Sequence, residues 1–205
     1  MFPRIRSDLR HKAQWCYEST RWSAMIKVLL TDGTPAMFYY RLMQWARRWH
    51  LLPLEMIFNK MNAVFCNCII GRGAEFGSGF VLIHSTGVVI NGKVRGGSNI
   101  LIEQQVTIGA DRRQSPLLGN DLFIGAGAKI LGAVSIGDGA RIGANAVVVK
   151  DVPPHCTVVG IPAQIVRRRE LPASPSKPVD ATLESNPAAN SGESHKDSVL
   201  TESQR

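Results

Sequence analysis

Apolar residues recur every six positions through the middle of the chain. Stepping by six from Ile70 gives Phe76, Leu82, Val88, Val94, Ile100, Val106, Arg112, Leu118, Ile124, Ile130, Ile136, Ile142 and Val148. Thirteen of these fourteen positions are apolar, and Arg112 alone breaks the row. Glycine follows the apolar residue at 71, 77, 119, 125, 137 and 143. An α-helix repeats every 3.6 residues and a simple strand every two, so neither gives this spacing. A parallel β-helix does, because each short strand ends in a turn and sends a side chain inward at a fixed interval. Small residues such as Gly125-Ala126-Gly127-Ala128 suit the tight corners such a coil needs. The pattern predicts a repeat unit over residues 69–166 with Ile124, Ile130, Ile136 and Ile142 in one interior. The charged stretch from Ala110 to Ser115 does not match the repeat and reads as a loop pushed out of the coil. The row then resumes at Leu118 in what reads as the same register.

The flanks have other periods. Residues 1–68 read as helical. Ser7 or Asp8 is placed to cap a helix running through Glu18 and beyond. Phe38, Leu42, Trp45 and Trp49 lie at helical spacing between Pro35 and His50 and predict one apolar stripe, with the tryptophans as packing residues. Asp32-Gly33-Thr34-Pro35 marks a break and then a helix start, with Pro tolerated in the first turn. Pro53 separates that helix from another over about 54–65. Residues 167–205 form a basic end followed by a tail. From 171 onward the tail has four prolines and few aliphatic residues, a composition that predicts disorder.

Composition narrows the class. Hydrophobic content of 44% and charged content of 20% are ordinary for a soluble protein, and no apolar run approaches the ~18 residues of a membrane span. The start is basic without an apolar segment after it, which argues against a signal peptide. Cys16, Cys66, Cys68 and Cys156 make no disulfide framework, and the close Cys66/Cys68 pair has no second Cys/His pair beside it. Buried free thiols in a reducing cytoplasm are expected. Residues 1–68 carry ten Lys/Arg against four Asp/Glu, residues 69–170 eleven against seven, and the tail three against five. A nucleic-acid partner is not indicated, because no helix-turn-helix, zinc spacing or aromatic stacking motif accompanies the charge. A phosphate-bearing cofactor or an anionic surface accounts for it equally. Gly71-Arg72-Gly73-Ala74-Glu75-Phe76-Gly77 lacks the strand–helix unit of a dinucleotide loop and belongs to the repeat.

Three stretches together resemble the serine O-acetyltransferase family of hexapeptide-repeat acyltransferases. Gly33, Ala36, Tyr40, Arg41 and Trp45 match its G-x-x-A-x-x-x-Y-R-x-x-x-W pattern, and His84-Ser85-Thr86-Gly87-Val88-Val89-Ile90 matches its H-[AGS]-T-G-[IV]-V-[IV] segment. Gln104 to Gly109, Ile124 to Gly132, and Val152 to His155 with Gly160 to Ala163 resemble its Q-x-V-T-[LI]-G strand, cofactor coils and closing segment. The resemblance covers about residues 8–166. It implies a mainly β fold, a left-handed three-sided parallel β-helix of fewer than five coils behind an α-helical segment. It also implies acetyl-CoA as co-substrate, a homotrimer with active sites between neighbouring coils, and a cytoplasmic place in cysteine biosynthesis.

The resemblance also assigns residues. His84 falls on the general base, and Gly109, Ala126, Gly127, Ala144 and Lys150 fall along the coenzyme A groove. By itself a lone histidine in a coil reads as a polar side chain stacked on a corner; with the family match it reads as the group that takes the acceptor's proton. Arg167-Arg168-Arg169 reads either as a contact for the 3′-phosphate of coenzyme A or as a solvated basic end. The acceptor side departs from the family. Ile83 and Ile69 occupy positions where the family has aspartates, and its Arg-His pair falls near Gln114 and Ser115, leaving Arg112 and Arg113 as shifted acceptor-binding candidates. Glu18 loosely matches an upstream acidic residue. A backbone carbonyl, Glu75 or Glu103 is left as the partner of His84. No metal is implied, since a general base needs none and no ligand cluster stands out. The expected acceptor is L-serine by resemblance. Alternatives are a sugar hydroxyl, as in exopolysaccharide acetyltransferases, or a non-catalytic β-helix scaffold.

Overall fold

The computed structural model describes residues 2–111 and 113–169. Arg112 and the tail therefore lie outside the described residues, as does the expectation of disorder there. Residues 1–170 form one compact unit. Four helices come first: α1 (Phe2–Tyr17), α2 (Trp22–Leu29), α3 (Thr34–Arg48) and α4 (Leu52–Cys66). Asn67, in the left-handed region at φ 45°, turns α4 directly into the coil.

The coil has five turns, where fewer than five were expected, because β14 adds a fifteenth side to the fourteen hexapeptides. The first is β1 (Cys68–Ile70), β2 (Glu75–Phe76) and β3 (Phe80–Leu82); the second is β4 (Val88–Ile90), β5 (Arg95–Gly96) and β6 (Ile100–Ile102). The third is β7 (Thr107–Gly109), β8 (Leu117–Leu118) and β9 (Leu122–Ile124); the fourth is β10 (Lys129–Leu131), β11 (Ser135–Ile136) and β12 (Arg141–Ile142). The last is β13 (Val147–Val148), a bridge from Val152 to Ile136, and β14 (Cys156–Val159), onto which β15 (Gln164–Arg168) folds back antiparallel. Corresponding strands of successive turns pair in parallel and make three sheets. The first runs β1-β4-β7-β10-β13, the second β2-β5-β8-β11, and the third β3-β6-β9-β12-β14-β15. Ile124, Ile130, Ile136 and Ile142 are all in the interior, as the period predicts.

The register is not an unbroken six. Leu82 pairs with Ile102 and Ile90 with Ile108, so eight residues separate the inward positions of β3 and β4 where six separate those of β6 and β7. Gly96 pairs with Leu118, so ten separate those of β7 and β8. The two extra residues at Ile83–Gly87 and the four at 110–116 together equal one repeat. Stepping by six therefore lands back on the inward row at Leu118. Between the two insertions it lands on Val88, Val94, Ile100 and Val106, two residues before the inward row. These are also fully buried, because each strand turns alternate side chains inward. The true inward residue of β5 is Gly96. A β-carbon there would stand 2.4 Å from the ring of Phe76, so Phe76 of the turn below occupies the space that an apolar side chain fills elsewhere.

The helices dock on the first turn, α1 and α3 against β3 and α4 against β1. Ala36, Met37, Tyr40 and Met43 share one core with the coil, and Tyr40, Phe76 and Phe80 form an aromatic cluster with centroids 4.5–6.0 Å apart. The Tyr40 hydroxyl donates to Ala74 O and accepts from Phe76 N. The stripe expected from Phe38, Leu42, Trp45 and Trp49 is the wrong face. Small and flexible side chains let α3 lie close to the rungs, and Trp49 is 67% exposed. Nor does Asp8 cap a helix. It sits in the middle of α1, buried, where its carboxylate accepts two hydrogen bonds from Arg41 (2.7 and 3.0 Å) and one each from the Gly79 and Phe80 amides (2.9 and 3.0 Å). The two helices expected on either side of Pro53 are α3 and α4; the break falls at 49–51, and Pro53 lies in the first turn of α4. Cys68 and Cys156 are buried as expected, and burial, with Cys66 nearby, pushes the Cys68 thiol up to about 12; Cys16 is exposed.

Candidate active site

The inserted corner after β3 carries His84. Three bonds shape it. Ser85 Oγ donates to Cys66 O at 3.1 Å, the Gly87 amide to Asn67 O at 2.8 Å, and Val88 N closes the turn on Ser85 O at 3.1 Å. The two extra residues thus bulge the corner outward while the α4–β1 junction holds its base. The His84 side chain is 54% exposed, and its Nδ1 lies 3.4 Å from Asp32 Oδ2.

Asp32 comes from the loop between α2 and α3, and three features place it. Gly33, at φ 77°, lies so close to the first turn that a β-carbon would stand 2.3 Å from Leu82 O. Only glycine meets both demands, the left-handed backbone and the close approach. Thr31 and Thr34 hydroxyls both donate to Val28 O, at 2.8 and 2.6 Å, and tie the loop to the end of α2. Lys12 of α1, fully buried, donates its ammonium to the Asp32 carbonyl. Burial pulls the Lys12 amine down to about 8, while Cys16 and Asp32 pull it the other way.

Sequence reasoning missed Asp32. Its signal was the unexplained acid directly before Gly33, read only as part of a helix break. The two glutamates left open as partners of His84 are engaged elsewhere. Glu75 faces Arg95 at 3.7 Å, and Glu103 Oε2 accepts from the Ala126 amide at 3.2 Å. Nδ1 faces Asp32, and among the described residues Nε2 has no hydrogen-bond partner.

The other candidate residues divide between two edges of the prism. Ala126, Gly127 and Ala144 stack on the same edge as His84, where the third sheet hands over to the first. The amides of Gln105, Gly127 and Asn145 each bond the corner of the turn before, at 2.8–2.9 Å, and Lys129 Nζ caps the Gln105 and Gly127 carbonyls. At about 4.8 Å per turn, Ala126 and Ala144 stand roughly 10 and 14 Å along the axis from the His84 corner. Gly109 and Lys150 lie beside the next edge, between the first and second sheets. Arg113 is on that edge too. It sits in a tight exposed turn, φ 69°, closed by reciprocal Asp111–Gln114 backbone bonds of 2.8–2.9 Å and tethered by Ser115 Oγ to Asn91. Within one chain Arg113 therefore does not join His84. Glu18, just past α1, and Arg167 to Arg169, on and just after β15, are exposed.

Residues 115–150 match the family model "Bacterial transferase hexapeptide (six repeats)". Over 187 residues the chain is 33% identical to the serine acetyltransferase of Mycobacterium tuberculosis, covering 89% of this chain and 80% of that one. It is 37% identical to the serine acetyltransferase of Synechococcus elongatus over 155 residues, 73% of this chain and 64% of that one, so it spans less than two thirds of that relative's length. The crystal structure of a Brucella abortus serine acetyltransferase in complex with coenzyme A superposes with a TM-score of 0.74 at 29% identity, covering 82% of this chain and 68% of that one. No described helix is long and apolar enough to cross a membrane.

Proposed function

The chain belongs to the serine acetyltransferase family, and on that premise we propose that it transfers an acetyl group from acetyl-CoA to the hydroxyl of L-serine, with His84 as general base and Asp32 as the group that orients it. His84 Nε2 takes the hydroxyl proton as the serine oxygen attacks the thioester carbonyl. A new C–O bond forms, the carbonyl becomes a tetrahedral oxyanion, and its collapse breaks the C–S bond. The proton held on His84 passes to the departing thiolate, so O-acetylserine leaves as an ester and coenzyme A as its thiol. Asp32 keeps the imidazole turned and stabilises the imidazolium while it lasts.

The observation that carries this reading is the 3.4 Å approach of Asp32 Oδ2 to His84 Nδ1. It supplies from the N-terminal helices a carboxylate that Ile83 and Ile69 do not. The thioester is read along Ala126, Gly127 and Ala144, on the edge His84 occupies. Gly109, Lys150, Arg113 and Arg112 are read as completing the site from a neighbouring copy, because the described ones among them lie beside the adjacent edge. That arrangement supports a homotrimer, and the free thiols fit a cytoplasmic enzyme. A sugar hydroxyl as acceptor is the second reading. It is favoured by Ile69, which is 52% exposed, since an apolar residue offers nothing to an ammonium group.

The test is release of coenzyme A thiol with serine, homoserine and a panel of sugars and nucleotide sugars. Saturable release with serine, lost ~10²–10⁴-fold in His84→Ala with the fold intact, is expected. Release with sugars alone would replace the acceptor, and wild-type rates in His84→Ala would remove the base.

A further inference from the structure

The second sheet is the one that does not border the His84 edge. Between α1, α3 and the strands it contributes to the first two turns, β2 and β5, runs a groove of about 810 Å³. Small-ligand sites commonly measure about 300–1,000 Å³. Three of its arginines are already committed: Arg41 to Asp8, Arg47 to Glu55 at 3.5 Å and Arg95 to Glu75 at 3.7 Å. Arg4 of α1 and Arg48 of α3 also line it, both exposed, and among the described residues neither has a carboxylate within ion-pair range. Trp45 stands one helical turn before Arg48 on the same wall. The only acidic side chain in the lining is Glu75, and it already faces Arg95.

We propose that this groove is a binding site for a nucleoside diphosphate or triphosphate, separate from the acetyl-transfer site. Two unpaired guanidinium groups facing one cavity suit a phosphate chain, because the planar fork of arginine matches phosphate oxygens in pairs. A partly exposed indole beside them offers a flat face on which a base stacks. Arg4 and Arg48 hold the phosphates and Trp45 holds the base. The floor is fixed, since Arg41 donates to Phe76 O and Gly77 O at 3.1 and 2.6 Å, so the cavity does not depend on a ligand to form.

Calorimetric titration of the full chain with ADP and ATP tests this. Nucleotide binding that depends on Arg4 and Arg48 is expected. Arg4→Gln/Arg48→Gln should weaken it at least about tenfold, as loss of charge-assisted hydrogen bonds does. Trp45→Ala should weaken ADP but not inorganic pyrophosphate. Both arginines are exposed and unpaired, so the double variant should melt as the wild type does, and Arg48→Gln alone serves if it does not. Absence of binding at millimolar nucleotide would overturn the proposal, as would binding that the arginine variants leave unchanged. Binding confined to phosphatidylglycerol vesicles would overturn it too, by assigning the cations to a membrane.

Discussion

Asp8 and Asp32 both reach from the N-terminal helices to the first turn of the coil. Asp8 is buried and accepts four hydrogen bonds, while the Asp32 side chain is 80% exposed and meets His84 through one contact of 3.4 Å. Burial pushes the Asp8 carboxyl above its ordinary range even with the Arg41 guanidinium and two amides pulling it down. Such a pair is an expensive way to gain stability, but it fixes one register of helix on coil. An exposed pair such as Asp32–His84 contributes little to stability, and the role proposed for it is to orient a ring. The buried contact ties α3 to α1 and the first turn; the exposed one is proposed to use that placement for chemistry.

The largest effect should come from breaking the buried contact. Arg41→Met leaves Asp8 buried without its guanidinium, and should cost about 3–5 kcal/mol in urea unfolding. A loss under about 1 kcal/mol would mean the clamp is not what holds the helices.

Lys12, which holds the Asp32 carbonyl, should make stability respond to pH. Its amine lies at about 8 when folded, against an ordinary 10.5. Below about 8 it is charged in both states, and the folded protein bears the full cost of burying that charge. Between about 8 and 10.5 the unfolded chain holds a proton that the folded chain has released, so stability rises with pH. Measured against Lys12→Met, the wild type should gain on the order of 3 kcal/mol across that window. A flat difference would place the amine in water.

Gly33→Ala should cost roughly 1–3 kcal/mol, because the new β-carbon meets the Leu82 carbonyl in a left-handed backbone. It should also lower kcat by displacing Asp32. Full activity in a destabilised Gly33→Ala would separate the loop from catalysis.

The sequence made the coil legible because its core repeats, but the break in register was masked. Insertions of two and four residues sum to six, and the second buried row at Val88, Val94, Ile100 and Val106 is as apolar as the first. The glycines held the missing information: the row at 71 and 77 reappears at 97 and 109, shifted by two, before returning at 119. His84 was legible through its motif. Asp32 was not, because its partnership depends on how α3 docks, and no local pattern encodes a contact across 52 residues. Asp8 failed for the same reason. A short acidic residue near a chain start has the composition of a cap, and only the tertiary contact with Arg41 identifies it as a clamp.

The central claim is that Asp32 acts through His84, and a double-mutant cycle on kcat tests it most directly. Asp32→Asn should lower kcat on the order of tenfold in the wild type, leave the KM for acetyl-CoA unchanged, and have no further effect in His84→Ala. An equal loss from Asp32→Asn in both backgrounds, or no loss in the wild type, would contradict the account.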